Sequence, residues 1–355
     1  MTHDPRYAVL QPELQGDKPP EARDFASLED YIFGSTVRIW EGRGLHLIRR
    51  WYGEDSIVRT PMGVTRGIEP VIAATRQTLH EFPDRRLLGE DVIGCAQVDG
   101  AIVSAKDEAA TWATGAPHYS SHRIVSPMIH AGTGGFGAAT GRPVRARTIA
   151  DCVVVNERVV EEWLVRDHGA IVAALGGDVE EAAARHVAGL RAQGIEPATL
   201  TASNDVEGAY RTPECRDERA LAFADLLRAA WAADLSAIHH GYEDGVALEL
   251  YGGLTSAGRE QATRHWLSLA AALPDAKFSI DHLIGRADAE RPHRVAVRWT
   301  ARGTHDGHGA FGAPSSAPLL VLGITHVEFA RGRVHREWTL IDTLAVHRQI
   351  AAHRG

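Results

Sequence analysis

Cysteine is scarce in this 355-residue chain, which holds only Cys95, Cys152 and Cys215. An odd count without paired spacing excludes a disulfide framework and a zinc ribbon, and makes a reducing compartment the default. No stretch approaches the roughly 20 apolar residues of a spanning helix, and the N-terminal residues lack the apolar core of a signal peptide. A cytoplasmic location is therefore expected, with no membrane partner. Excess positive charge is missing too: 38 Lys and Arg against 46 Asp and Glu leave a formal charge of −8, which argues against nucleic acid as a partner. With 44% apolar residues, the length suits roughly two domains, each able to bury a core.

What the chain does have is a long internal repeat. Trp40, Gly67, Glu69 and Phe82-Pro83-Asp84 recur as Trp231, Gly258, Glu260 and Leu273-Pro274-Asp275, each 191 residues later (231−40 = 191). Further on the offset falls to 175: Phe136-Gly137-Ala138 recurs as Phe311-Gly312-Ala313, Trp163 as Trp338 and Asp167 as Asp342 (342−167 = 175). Two copies with so long a period are tandem domains and not a solenoid, and the first copy holds extra residues between Pro83 and Phe136.

Each copy opens with helical spacing, Leu28, Ile32, Ile39 and Trp40 in the first and Leu227, Ala230, Trp231 and Ile238 in the second. A second helix follows and stops at Pro83 or Pro274. After the prolines the pattern shifts toward period two, in β-branched runs such as residues 148–155, 158–165 and 294–299, which predicts an α+β unit with an antiparallel sheet. The expected organisation is an arm over 1–24, a first domain over 25–176, a capped helix plus linker over 177–218, and a second domain over 219–355.

In order, these landmarks are a Gly-x-Glu helix start, Phe-Pro-Asp, a strand leading to a His, Phe-Gly-(x)3-Gly-Arg-Pro and Val-Val-Glu-Glu-Trp-(x)3-Asp. In both copies the set resembles the SnoaL-like polyketide cyclases of the nuclear transport factor 2-like superfamily. The resemblance implies two cone-shaped, cystatin-like domains, each a curved antiparallel sheet wrapped over N-terminal helices around a pocket. It also implies small-molecule chemistry of the cyclase, lyase or dehydratase, isomerase or hydrolase kind, or plain ligand binding. The family's acid/base aspartate follows the strand aromatic; here that position is Leu164 in copy one and Thr339 in copy two. A standard aldol cyclase is thereby disfavoured. A histidine the family sometimes carries would align near Ala150 and Thr325, or, with a one-residue slip, at Asp151 and His326.

The remaining polar residues supply the candidates. Alternation puts Glu162 and Leu164 on the face of the missing aspartate, with Glu337 equivalent to Glu162. Six residues past Trp112 and Trp299 stand His118 and His305, and copy one adds Tyr119, Ser120, Ser121, His122 and Arg123, with His130 beyond. The expected catalytic set is His118 or His122 as proton carrier, Arg123 against developing negative charge, Glu162 orienting the histidine or acting as second acid/base, and Tyr119 as hydrogen-bond donor. Trp40, Tyr52, Trp112, His130, Leu164, His305 and Glu337 are the expected substrate contacts. A metal on His118, His122 and His130 fits no standard ligand spacing, so neither a metal nor an organic cofactor is expected. Gly132 to Gly137 fits the dinucleotide pattern by letter, but a strand pattern follows it where a helix is needed, so it is read as a glycine loop. The reading is an enzyme on a hydrophobic or cyclic carbonyl metabolite with its site mainly in the first domain; the alternative is a non-catalytic binding protein with two ligand pockets. An internal pseudo-dimer is expected, and self-association of the whole chain is left open.

Overall fold

The computed structural model describes residues 24–98, 101–103, 105–211 and 214–355. The expected N-terminal arm, residue 24 apart, lies outside the described residues. The first domain runs through α1 (Leu28–Thr36), α2 (Ile48–Trp51), β1 (Tyr52–Thr60), β2 (Gly63–Arg66), α3 (Ile68–Glu81), β3 (Leu88–Val98), β4 (Ala101–Val103), α4 (Ala105–Thr114), β5 (His118–Ile129), β6 (Pro143–Val155), β7 (Arg158–Arg166) and α5 (His168–Ala174). Then come α6 (Val179–Ala192) and an irregular linker. The second domain comprises α7 (Glu218–Trp231), α8 (Ser236–Gly241), β8 (Tyr242–Leu250), β9 (Thr255–Ala257), α9 (Arg259–Ala272), β10 (Lys277–Arg286), β11 (His293–Thr304), β12 (Pro318–Ala330), β13 (Arg333–Ile341) and α10 (Thr343–Arg354).

The two sheets share one strand order. The first reads β2-β1-β7-β6-β5-β3-β4 and the second β9-β8-β13-β12-β11-β10, so β4 is the added strand. Neighbouring strands are antiparallel except where the first strand of each domain lies parallel to its last, β1 beside β7 and β8 beside β13. The bulges repeat as well: β3 slips between Gly89 and Asp91, and β10 between Ile280 and His282, 191 residues on (280−89 = 191). β6 slips at Val153 and β12 at Glu328, 175 residues on (328−153 = 175). A bulge bends its strand and raises the local twist, so matched bulges curve both sheets at matched points.

Local chemistry sets the helix ends. Ser27, Asp167, Asp178, Asp217 and Asp342 each accept a backbone N–H at a helix start. Gly67 and Gly258 turn the chain into α3 and α9 with φ of 89° and 98°, a region where a side chain is strained. The extra residues of copy one are now located: β3 is followed by β4 and α4, where copy two has a short turn between β10 and β11. From β5 onward the offset is uniformly 175, since β5, β6 and β7 begin at residues 118, 143 and 158, and β11, β12 and β13 at 293, 318 and 333.

Three large hydrophobic clusters, beside two smaller ones, hold the described residues together. One is confined to the second domain and includes Trp266, Trp299, Phe223 and Tyr242. A second belongs to the first domain, where α1 and α3 pack Leu28, Tyr31, Ile32, Ile68 and Ile72 against Ala150, Cys152, Val154 and Leu164. The third crosses between the domains, joining Ile93, Tyr119, Ile149, Val153 and Trp163 to Ile284, Ala296, Leu320, Leu322 and Leu340. Each sheet is thus covered on one face by its own helices and on the other by its neighbour.

Charged groups thread this shared layer. Asp151 of β6 accepts from His282 Nδ1 at 2.8 Å and from Arg298 Nε at 2.7 Å, and the Arg298 guanidinium lies 3.7 Å from the Trp163 ring centroid. Burial opposes ionisation of Asp151, but its contacts with His282 and Arg298 outweigh it and hold the carboxyl below its ordinary range. His326, hydrogen-bonded to Ser121 at 2.7 Å and Arg123 at 2.8 Å, occupies the equivalent position on β12 (326−151 = 175). Asp167 accepts from the backbone of Gly252 and Gly253, and His168 bonds Asp342 at 2.6 Å, so each domain's last helix is tied across the boundary. Among the described residues no helix is long and apolar enough to cross a membrane.

Removing the Asp151 carboxylate leaves Arg298 and His282 buried without their anion. Asp151→Ala is expected to lower unfolding free energy by about 3–5 kcal/mol in urea titration. A loss below about 1 kcal/mol would mean that this pair does not hold the domains together.

Candidate functional site

Period-two alternation along β5 divides the expected catalytic set. His118, Ser120 and His122 point toward the helices of the first domain, whereas Tyr119, Ser121 and Arg123 point into the layer between domains. Arg123 bonds His326, meets Glu90 at 3.4 Å and stacks on Trp338, with 3.7 Å from guanidinium to ring centroid. Tyr119 donates to Gln97 Oε1 at 2.6 Å and packs its ring against Tyr210 and His282. Arg123 and Tyr119 are therefore separated by the sheet from His122 and Glu162. The alternative slip residues Asp151 and His326 likewise face the domain boundary.

His118, at the start of β5, is buried against Trp112, with Nδ1 2.7 Å from Ala116 O and Nε2 3.3 Å from Thr111 Oγ1. Trp112 stands on helix α4 and not on a strand, and donates to Phe25 O at 3.0 Å. The counterpart of His305 is consequently His130 and not His118 (305−130 = 175). Both ends of that pair make the same contact: His130 Nδ1 lies 3.2 Å from Thr140 Oγ1, and His305 Nδ1 lies 2.9 Å from Ser315 Oγ. They pin equivalent hairpin loops, and neither lines the cavity within the first cone. Gly132 to Gly137 sits in the first of these loops, between β5 and β6, with a Gly134–Gly137 bridge.

The cavity itself lies within the first cone and encloses about 140 Å³. His122, Glu162, Tyr52, Trp40 and Leu164 line it, together with two residues outside the expected set, Arg85 and Arg166. Glu162, Leu164 and Arg166 are alternate residues of β7 and so share its inner face. Carrying the alternation one step past Leu164 reaches Arg166. Arg85 follows the helix-ending Phe-Pro-Asp turn, where no periodicity signals direction. Strand β6 separates His122 from Glu162: His122 pairs with Ala150, while Glu162 pairs with Cys152. Strands two apart are roughly 10 Å from each other. Glu162 thus does not orient His122, but a ligand lying across β6 touches both.

Each ionisable group here is displaced by burial. The Glu162 carboxyl is pushed up by desolvation, partly offset by Arg166 and by the Tyr52 hydroxyl, which donates to Oε2 at 3.3 Å. Desolvation lowers the His122 imidazole to about 4, so it is neutral at pH 7 and able to donate and accept. Arg85 is lowered to about 9 by burial and by the neighbouring charge of Arg166, which is itself depressed by burial. Its Nε donates to Ser126 at 3.2 Å, and its guanidinium lies 4.7 Å from the Trp40 ring centroid.

The second domain fills the same space with its own side chains. Thr75, Ile124 and Thr148 of the first cavity correspond to Trp266, Trp299 and Gly323 (266−75 = 191, 299−124 = 175, 323−148 = 175). A Cβ at Gly323 would stand 2.1 Å from the Trp299 ring, so the glycine makes room for the indole. Glu337 is fully buried in a closed network, accepting from Tyr242 Oη at 2.5 Å and Thr339 Oγ1 at 2.6 Å, with Trp299 bonded to Thr325 at 3.0 Å. Glu337 and His305 therefore contact protein, and the cone of domain two is a packed core. Among the described residues no cluster of three His, Cys, Asp or Glu side chains is placed to hold a metal.

Buried neutral histidines make a pH signature. The pKa of His122 is lowered to about 4 and that of His265 to about 3, and His326 is held well below its ordinary value, all by burial first. Because the folded pKa lies below the unfolded value of about 6.5, the unfolded chain binds more protons on acidification. Stability is complete above pH 6.5 and falls as pH descends toward 4. His122 alone should account for about 2–3 kcal/mol between pH 7 and 4.5. Urea midpoints at both pH values should show a smaller drop for His122→Gln than for the natural chain; equal drops would contradict a neutral buried imidazole.

The family model for SnoaL-like polyketide cyclases matches residues 222–350. Solved structures similar to the chain include IdmH from Streptomyces antibioticus, at 21% identity over 38% of this chain and 99% of that one, TM-score 0.32. TsrD from Streptomyces laurentii gives 21% over 38% and 98%, TM-score 0.33. A SnoaL-like polyketide cyclase from Agrobacterium tumefaciens gives 18% over 36% and 94%, TM-score 0.30. Among curated proteins, no sequence matches significantly. The second domain belongs to the SnoaL-like polyketide cyclase family, and the first domain repeats its strand order in a tandem arrangement.

Proposed function

We propose that the first domain is a cofactor-independent acid/base catalyst of the lyase or isomerase kind, acting on a hydrophobic or cyclic carbonyl metabolite, and that the second is its closed structural partner in an internal pseudo-dimer. The observation that carries this reading is the asymmetry between the cones. One surrounds a cavity with Glu162, His122, Tyr52, Arg85 and Arg166 on its wall, while two tryptophans fill the other.

In this mechanism Glu162 removes a proton from the carbon next to a carbonyl. Its raised pKa makes the ionised form a stronger base than an exposed carboxylate, and the Tyr52 hydroxyl steadies it. Negative charge then develops on the carbonyl oxygen, where the neutral imidazole of His122 donates a hydrogen bond and the arginines supply positive potential in a low-dielectric space. The proton returns from Glu162 to the product. Roles expected of Arg123 and Tyr119 thus pass to the arginines of the cavity and to Tyr52. The bare alternative, ligand binding without chemistry, draws support from Leu164 and Thr339, which stand where the family's aspartate belongs.

Proton abstraction has a direct readout. In D2O, the natural chain should accelerate deuterium uptake next to the carbonyl of 1-indanone, followed by NMR, with a rate that climbs as pH passes a midpoint above the ordinary carboxylate range. Glu162→Gln should lower that rate about 100-fold or more. No acceleration with 1-indanone, 2-tetralone or cyclohexanone would leave only the binding reading. A second variant imitates the closed cone: Ile124→Trp with Thr148→Gly should keep the fold, judged by circular dichroism, and abolish exchange. Undiminished exchange in that variant would place the chemistry elsewhere.

A further inference from the structure

Arg85, buried, and Arg166, half-buried with its Nε enclosed, lack the carboxylate contacts of most buried arginines, a lack that Arg348 shares. Arg59 pairs with Glu161 at 2.6 Å, Arg298 with Asp151 at 2.7 Å, and Arg294 with Asp91. By contrast, among the described residues no carboxylate lies within ion-pairing distance of Arg85 or Arg166. Arg85 is 5% exposed and lines the cavity, and among the described residues its one side-chain hydrogen bond runs from Nε to Ser126. Among the described residues the Arg166 side chain has no hydrogen-bond partner, its buried Nε included. Glu162 and Asp342 favour the Arg166 charge only from beyond contact distance, and burial outweighs them; a buried charge without a contact partner is expensive.

Nor does the fold require these cations. Their counterparts in the second domain are Ala276 (276−85 = 191) and Ile341 (341−166 = 175), which pack in apolar surroundings within the same topology. The cavity also continues past them. A second compartment of about 260 Å³, walled by Phe82, Met128, Phe136 and Ile171, shares Ala74, Arg85, Thr148 and Arg166 with the first. Two guanidinium groups therefore stand at the junction of two largely apolar compartments.

We propose that this junction is a carboxylate-binding site, and that the natural ligand is a hydrophobic, ring-containing monocarboxylic acid held by Arg85 and Arg166. The charge count selects a monoanion. Across both compartments Arg85, Arg166 and Arg147 against the Glu162 and Glu81 carboxylates leave a formal net charge of one, and a doubly charged phosphate would meet both the apolar walls and Glu162. Guanidinium groups suit the planar carboxylate, which accepts paired hydrogen bonds. The inference rests on the acid/base reading in placing the acid's ring carbonyl beside Glu162, and names the substrate class of that site.

The probes are 3-oxo-1-indancarboxylate, its methyl ester and inorganic phosphate, with binding measured by calorimetry and thermal shift independently of turnover. The acid should bind at least about tenfold more tightly than the ester, and Arg166→Met or Arg85→Met should erase that preference. Each variant should also melt higher than the natural chain without ligand, because an unpaired buried charge has been removed. A merely structural arginine would give the opposite shift. Equal binding of acid and ester, a lower melting temperature in both variants, or stronger stabilisation by phosphate than by the acid, benzoate or 2-naphthoate overturns the proposal; so does stabilisation by none of these. Glu162→Gln separates the two readings. It should keep the acid's preference while losing exchange; in the natural chain, binding without exchange sinks only the catalytic reading, and exchange without acid preference sinks only this one.

Discussion

A pleated strand sends consecutive side chains to opposite faces, and here both faces of the central strands are buried. One face meets the helices of its own domain and the other meets the second sheet. Everything on β5, β6 and β7 follows from that division. His122, Ala150, Glu162, Leu164 and Arg166 turn inward to the cone, whereas Arg123, Asp151 and Trp163 turn outward to the other domain. A shift of one residue in register would exchange the two sets, bringing the Asp151 network into the cavity and turning His122 and Glu162 to the domain boundary.

Because the shared layer contains charges, it also specifies how the domains sit. Asp151 meets His282 and Arg298 from β10 and β11, and Arg123 meets His326 from β12. Apolar packing between sheets has no direction of its own, but these contacts have distances and angles to satisfy. The copies have diverged at just such positions, Asp151 becoming His326, so each half of the pseudo-symmetric layer presents what the other accepts. On the inner faces divergence went by volume: threonine, isoleucine and threonine on one side, two tryptophans and a glycine on the other.

Much of this was legible in the residues. The repeat, its two offsets, the helix-ending prolines and the period-two runs are local patterns, and they correspond to observed helices and strands. Alternation also placed Glu162 and Leu164 together on one inner face. What failed was pairing by distance along the chain. Trp112 and Trp299 look alike as landmarks, yet one stands on an inserted helix, so His118 is not the partner of His305. Reading His122, Arg123 and Tyr119 as one site ignored the pleat within the very stretch that alternation governs. Arg85 had no sequence signal, because a turn residue has no periodicity to aim it.

The chain by itself determined that there are two α+β units, since these depend on local order and spacing, and the family resemblance puts Leu164 and Thr339 where the aspartate would stand. Only tertiary structure decided that one cone surrounds a cavity and the other is packed. That outcome turns on whether Trp266 and Trp299 find room beside Gly323, and on which charges face one another across two sheets. Such matters are set by volumes and distances between residues far apart in the chain.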